Sequence, residues 1–142
     1  MKKYKFLEDI AIADIAFESY GKDWNELFEN SALAIFVSSA EIKTIKPRIK
    51  REIKLNNDRI DNLLYDFLSE IIFLKDKDSL IFSKSKVDIK ENKKYKLKAT
   101  LYGEKIDLKK HVLLHDVKAV TLHLFKIEKT KNYWKATMVL DI

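Results

Sequence analysis

Residues 10–17 have the sequence Ile-Ala-Ile-Ala-Asp-Ile-Ala-Phe, an apolar run that contains a single carboxylate. Such a run, followed by a predicted turn at residues 20–22, indicates a β-strand that is buried on at least one face. An acid inside this strand is costly unless its side chain meets water, hydrogen-bond donors or a cation. Asp14 is therefore the first candidate for a binding role.

A second strand-like run closes the sequence at residues 134–142, with alternate apolar residues on one face and Asp141 on the other. We hypothesise that Asp14, Asp141 and the free carboxylate of Ile142 converge and hold a divalent metal ion. Hard cations such as Ca²⁺ and Mg²⁺ prefer several oxygen ligands, most of them carboxylates and carbonyls. The alternative is that both acids point to solvent on half-exposed strands.

The composition is that of one ordered domain spanning residues 1–142. Hydrophobic residues make up 46% of the 142 residues, with only 2 Gly and 1 Pro, which argues against disorder. The absence of cysteine excludes disulfides and thiolate metal sites and fits a reducing compartment. No run has the length or purity of a membrane helix, and no signal peptide opens the chain. We expect a cytoplasmic protein with no membrane partner.

The net charge is positive: Lys and Arg number 28 and Asp and Glu 22, which gives +6. The lysines are spread along the sequence and mixed with acids, whereas dedicated nucleic-acid surfaces more often cluster arginines with aromatic residues. This favours lysines that are simply solvated. An RNA-binding or chaperone module that acts on RNA through its lysines remains the alternative function.

Helical periodicity appears twice. The first predicted helix begins at Asp23, where Glu26 completes a capping box, and it frays near residues 37–39. The second follows residues 56–58 and ends near 75–78. Its apolar residues keep a period of 3.6; they are Ile60, Leu63, Leu64, Phe67, Leu68, Ile71 and Ile72.

The remaining segments favour strands. Apolar alternation changes parity after Phe82, which predicts a bulge between residues 83 and 86, and residues 92–93 form a predicted hairpin turn. A run with apolar residues on both faces, 117–125, is predicted as a central strand. The other predicted strands are 2–7, 48–55 and 95–101. This order predicts an α+β fold: a mixed or antiparallel sheet packed with two amphipathic helices.

The sequence offers few other candidates for catalytic, phosphate-binding or metal-binding motifs. The two glycines cannot form a Gly-rich phosphate loop. His111 and His115 have the spacing of metal ligands on one helix face, but their segment does not favour a helix, so loop histidines are the better interpretation. His123 is predicted to be half-buried on a strand with its ring hydrogen-bonded. Because no general base other than His123 stands out, a metal-dependent hydrolase is disfavoured.

Several motifs together resemble the archease family. They are Ala-Asp-Ile at 13–15, Tyr-Gly-Lys at 20–22, Val-Lys-Ala-Val-Thr at 117–121 and Leu-Asp-Ile at 140–142. Each motif alone is weak, but their order and separations are specific, and the resemblance covers essentially the whole chain.

The resemblance implies a function. Archeases are small α+β proteins that assist the GTP-dependent RNA-splicing ligase RtcB in tRNA splicing. They promote guanylylation of the ligase and its multiple turnover, and they are not themselves ligases. This implies an RtcB-type RNA ligase as the partner, tRNA met indirectly through the ligase, and no catalytic residue in this chain.

The resemblance also implies a site. The family's acidic metal cluster corresponds to Asp14, Asp141 and Ile142, and its remaining aspartate falls on Glu41. The expected cofactor is a divalent metal, Ca²⁺ before Mg²⁺ or Mn²⁺. On the same resemblance, Lys118 and His123 are predicted to bind the partner.

Overall fold

A computed structural model describes residues 2–8 and 14–142, which contain two α-helices, one short 3-10 helix (Ile42–Thr44) and eight strands. The helices are α1 (Trp24–Ser39) and α2 (Ile60–Asp78). The strands are β1 (Tyr4–Leu7), β2 (Ile15–Gly21), β3 (Ile49–Asn57), β4 (Leu80–Asn92), β5 (Lys94–Lys105), β6 (Ala119–Val120), β7 (Lys126–Lys129) and β8 (Trp134–Asp141). The predicted α+β class is confirmed.

The strands divide into two antiparallel sheets. One has the order β1-β2-β8-β6, with β7 also paired to β8, and the other has the order β3-β5-β4. In β8, residues 136–140 are buried on both faces, as a central strand requires, whereas β5 alternates and leaves one face in water. Ile15, Ala16 and Phe17 of the opening apolar run begin β2, and residues 10–13 lie outside the described part.

Aromatic and aliphatic side chains from both sheets and both helices share one core. Phe28 of α1 stacks on Phe67 of α2 with ring centroids 5.8 Å apart, and Phe17 of β2 is fully buried beside them in the same cluster. Small residues allow α1 to approach β2 closely: the Ser19 and Ser31 hydroxyl oxygens are 2.6 Å apart. The core therefore fixes the position of β2, which leads to the candidate site.

Helix α1 begins at its predicted cap and ends within the range predicted for its C-terminus. The Asp23 side chain accepts a hydrogen bond from the Glu26 N–H at 2.9 Å, which caps the helix. Its last residue is Ser39, within residues 37–39, where the sequence predicted the helix to fray. The Ser38 and Ser39 hydroxyls donate to carbonyls one turn earlier, at 2.7 and 2.8 Å, and His115 and Leu114 N–H groups donate to the carbonyls of these two serines.

Helix α1 also covers the outer edge of β4. The Val87 N–H donates to a carboxylate oxygen of Glu29 at 2.8 Å, and the Ile89 N–H donates to the Asn25 side-chain oxygen at 2.8 Å. Burial raises the pKa of Glu29, and the hydrogen bond from Val87 opposes that rise. Two donors of an edge strand are thus satisfied by helix side chains instead of another strand.

The second helix and the hairpin after it confirm the local sequence signals. Its buried face consists of Leu63, Leu64, Phe67, Leu68, Ile71 and Ile72. The predicted bulge is present, because the β4–β5 register shifts between Phe82 and Lys84. The hairpin turn is also at its predicted place, with Lys93 in the left-handed conformation at φ 60°. Neither described helix has the length and apolar character needed to cross a membrane.

The predicted central strand at 117–125 is wrong. Only Ala119–Val120 pairs there, opposite the end of β8, and β7 pairs with the preceding part of the same β8 edge. Val120 pairs with Leu140 and Lys126 pairs with Thr137. The segment from 120 to 126 therefore advances by six residues where its partner strand β8 advances by only three. The extra residues leave the sheet, and Leu124 within them takes a left-handed conformation at φ 59°.

Candidate functional site at one end of β2 and β8

Two aspartates flank the last pair of residues in the β2–β8 ladder. Ile15 pairs with Leu140, Asp14 directly precedes Ile15, and Asp141 directly follows Leu140. Neighbouring strands lie about 4.8 Å apart, so this register brings both acids to the same end of the same sheet. Strand pairing therefore places the two residues near each other, and their binding of a metal ion stays a prediction.

Backbone hydrogen bonds fix the position of Asp141. The Lys118 N–H donates to the Asp141 carbonyl oxygen at 2.8 Å, and Ala119 pairs with Asp141 across the ladder. The side chains of Lys118 and Asp141 are both exposed. Lys118 thus lies beside the acidic end of the sheet, where a partner could reach it, and its partner-binding role stays a prediction.

Asp14 is half-buried and lines a depression of about 420 Å³ together with Glu8, Ser38 and His115. The segment carrying His115 is held against the end of α1, because the His115 N–H donates to the Ser38 carbonyl at 3.0 Å. Sequence reasoning selected neither Glu8 nor Ser38 and treated His115 as an ordinary loop histidine. Their approach to Asp14 depends on contacts between segments far apart in the chain.

Glu41 lies outside this depression. Its side chain is exposed, and its backbone N–H donates to the Val112 carbonyl at 2.8 Å. Within residues 2–8 and 14–142, no three Asp, Glu or His side chains converge closely enough to hold a metal ion. The oxygens of Asp14 and Asp141 suit a hard cation in chemical type, and a complete ligand set needs further oxygens, for which Ile142 and Glu41 stay predictions.

His123 is not the half-buried strand residue that the sequence indicated. It lies in the excursion between β6 and β7 and its side chain is exposed. Its backbone N–H donates to the Thr121 hydroxyl at 3.3 Å. An exposed imidazole on an excursion is available to a partner, so the predicted partner-binding role of His123 remains open to test.

Among the carboxyl groups of residues 2–8 and 14–142, the one with the most strongly lowered pKa lies elsewhere, at Glu104 near the end of β5. One of its oxygens accepts the Lys46 N–H at 2.6 Å and lies 3.2 Å from His111 Nε2. The other contacts the Lys110 ammonium and lies 3.3 Å from Arg48 Nε. The bonds from Lys110 and Lys46 lower the pKa of Glu104 from 4.5 to about 2.

The Glu104 network has a structural role. His111 is buried, and its Nδ1 accepts the Asp107 N–H at 3.0 Å, which leaves its Nε2–H to donate to Glu104. Four residues after His111, the same segment reaches His115 at the Asp14 depression. Glu104 thus anchors the loop that builds one wall of the candidate site.

Acid should weaken this anchor. The folded state lowers the pKa of Glu104, so its carboxylate stabilises the fold above about pH 4.5, and that contribution is lost as the pH falls toward about 2. We expect Glu104→Gln to lower Tm at neutral pH, and we expect the difference from wild type to shrink steadily between about pH 5 and pH 2. Calorimetric melting across this range measures it.

A matched control is Glu52→Gln, which changes an exposed carboxyl on β3. Its Tm should stay near that of wild type throughout the range. A Tm difference for Glu104→Gln that is the same at pH 7 and pH 2.5 would contradict the role assigned to the ionised carboxylate.

The fold and this site define a class: a small α+β protein whose acids gather at one end of a five-stranded sheet. The sequence profile of the Archease protein family matches residues 4–142. The archease of Methanosarcina barkeri is 41% identical over 143 residues, covering 99% of this chain and 97% of that protein. The archease of Sulfurisphaera tokodaii is 38% identical and both chains are covered completely. The chain belongs to the archease family.

Solved structures agree with this assignment. The solution structure of Methanobacterium thermoautotrophicum protein 1598 superposes with a TM-score of 0.84 at 32% identity, with 100% of each chain covered. The crystal structure of an archease from Thermotoga maritima, described as a possible chaperone, gives a TM-score of 0.64 at 21% identity, covering 92% of this chain and 91% of that one. The second likeness supports the fold alone.

Proposed function

We propose that this chain is a protein cofactor of an RtcB-type RNA ligase in tRNA splicing. It promotes guanylylation of the ligase and multiple turnover, without being an enzyme itself, and meets tRNA through the ligase. The observation that carries the proposal is the β2–β8 register, which brings Asp14 and Asp141 to one end of a sheet in a chain of the archease family. The proposal places the chain in the cytoplasm, in keeping with a cysteine-free sequence.

The proposed ligand set for a divalent metal, Ca²⁺ before Mg²⁺ or Mn²⁺, is Asp14, Glu41, Asp141 and Ile142. When bound, such an ion supplies a local positive charge that neutralises the crowded carboxylates. The pairing of Ile15 with Leu140 holds the first and third of these acids at one end of the sheet. Glu41 must turn its exposed side chain toward them to take part.

The acids act on the ligase by electrostatic complementarity. A nucleotidyl-transfer active site is cationic and rich in metal ions, so an acidic protein edge is attracted to it. In a cleft from which water is expelled, charges interact more strongly than in bulk solvent. Asp141 at the end of β8 and Asp14 directly before β2 flank a paired ladder, and from there they can reposition the ligase's metal ions or nucleotide phosphates.

The test is a ligation time course with substoichiometric cognate ligase. Wild-type chain should carry the ligase beyond one round of turnover, and Asp14→Asn and Asp141→Asn should each abolish this stimulation. Both changes keep side-chain shape and remove one negative charge, so circular dichroism should show an intact fold. Titration with Ca²⁺ by calorimetry reports metal binding without the ligase.

Asp58→Asn is the control, because Asp58 is an exposed acid in the turn between β3 and α2, outside the β2–β8 sheet. It removes the same charge and should stimulate like wild type. The proposal fails if both variants at the β2–β8 end stimulate normally.

A further inference from the structure

The outer face of the β3-β5-β4 sheet collects lysines that are far apart in sequence. The even-numbered residues at 50–56 of β3, 84–90 of β4 and 96–102 of β5 point away from the core, and the registers align them in four rows across the sheet. The rows are Lys50–Tyr102–Lys84, Glu52–Thr100–Lys86, Lys54–Lys98–Asp88 and Asn56–Lys96–Lys90. We call these twelve positions the basic face.

The net positive charge of the basic face is close to that of the whole chain. Seven lysines and two acids leave it with a surplus of five, against a net charge of +6 for the whole chain. Among the described residues, none of the seven lysines makes an ion pair within 4.0 Å, whereas Lys75, Lys110 and Lys135 elsewhere do. Unpaired lysines of one sign on one surface create a field that attracts polyanions.

The shape and the lysine spacing of the basic face suit an extended polyanion. A shallow depression of about 460 Å³ runs across it between Lys54, Lys90, Lys96 and Lys98. At the far end, the Lys50 and Lys84 ammonium groups lie 5.7 and 5.6 Å from the centre of the Tyr102 ring. Lysines on such a sheet recur about every 4.8 Å across strands and about 6.7 Å along them, spacings comparable to those of successive phosphates in a nucleic acid chain.

We propose that the basic face binds the phosphate backbone of RNA. Protein interfaces are enriched in aromatic residues, Met and Arg and depleted in Lys, and this face offers Tyr102 as its single aromatic side chain and no large aliphatic one. Stable membrane attachment needs an apolar or lipid anchor besides basic charge, which these positions lack. The commitment to RNA over DNA rests on the proposed function, but the binding of a polyanion does not.

The two surfaces have separate tasks. The acidic end of β2 and β8 belongs to one sheet and the basic face to the other. The direct contact adds to the indirect one through the ligase: a chain that touches the ligase with one surface and RNA with the other raises the local concentration of RNA at the ligase, as any bivalent link does. RNA binding should therefore persist in variants that no longer stimulate ligation.

The experiment measures binding of the isolated chain to fluorescein-labelled unstructured RNA by anisotropy, from about 50 to 200 mM salt. The test variant is the triple substitution Lys54→Gln, Lys96→Gln and Lys98→Gln. The control triple, Lys43→Gln, Lys109→Gln and Lys131→Gln, removes the same charge from exposed lysines outside the sheet.

The test variant should bind about tenfold or more weakly than wild type. The slope of log affinity against log salt should fall by about 2, since each lost phosphate contact on a single strand is worth about 0.7. The control triple should keep most of the affinity and most of the slope, and thermal melting should show that both variants fold.

Each possible outcome of these measurements either supports or overturns the proposal. Equal weakening by both triples, or no RNA binding by wild type, overturns the proposal. Equal binding of DNA of the same sequence keeps the polyanion surface and overturns the commitment to RNA. Preference for anionic vesicles or polyglutamate over RNA overturns it in favour of a lipid or protein partner. Asp14→Asn should bind RNA like wild type, so failure of the ligase proposal and failure of this one are distinguishable.

Discussion

Gly103→Ala should destabilise the protein by about 3 kcal/mol or more, beyond the usual range for overpacking. A β-carbon at Gly103 would overlap the Ile81 carbonyl oxygen and lie 2.8 Å from the Phe82 α-carbon. Both neighbours are backbone atoms of β4 next to the bulge, so no side-chain rotation relieves the clash. The backbone of Gly103 is not in the left-handed region, so alanine causes no conformational strain there. The destabilisation is therefore entirely steric.

Urea unfolding measures this effect as a fall in the midpoint at unchanged m. Thr100→Ala, on the water-facing side of the same strand, is the matched control and should cost no more than about 1 kcal/mol. A loss below about 1 kcal/mol for Gly103→Ala would show that β4 moves aside easily, contrary to the tight packing of the bulge.

Phe17→Ala should lower the free energy of unfolding by about 3–5 kcal/mol, the range for removing a buried phenylalanine ring. Phe17 is 0% exposed, pairs with Met138 across the β2–β8 ladder and meets the Phe6 ring edge-to-face at 6.2 Å. Domains of this size are commonly stable by only about 5–15 kcal/mol. The variant should therefore lose much of its stability and melt far below wild type.

The control is Phe73→Ala on α2, because the Phe73 ring is 55% exposed. Its substitution should cost about 0.5 kcal/mol or less, the usual range for surface positions. Losses of equal size for the two phenylalanines would contradict the assignment of Phe17 to the core.

Local signals predicted most of the elements. The Asp23 cap, the apolar face of α2, the parity change after Phe82 and the turn at Lys93 depend on residues that are close in sequence. Each therefore leaves a pattern that a short window of sequence contains. The same holds for the opening run, of which Ile15, Ala16 and Phe17 are in β2.

The segment 117–125 shows where such windows fail. Its alternation of apolar residues is that of a strand, but β8 already pairs with β2 along one edge. The other edge is shared by β6 and β7 with an offset of three residues. The available partner edge is a property of the assembled sheet, so Leu122, His123 and Leu124 end up exposed although their pattern indicates burial.

The sequence alone allowed part of the candidate site to be predicted, but it did not reveal the basic face. Asp14 and Asp141 stand out as acids in apolar runs, but Glu104 receives the Lys46 N–H across 58 residues, a separation that leaves no local trace. The lysines are dispersed in sequence order, because a strand places only every second residue on one face. Only the registers between β3, β5 and β4 bring seven of them together.

The side chains of Asn25 and Glu29 that bind β4 have a consequence for polymerisation. An exposed strand edge is a template on which identical chains can stack into amyloid. The Val87 and Ile89 N–H groups are already bonded to α1. Because α1 is itself part of the core, fibril growth from that side would require the monomer to unfold first.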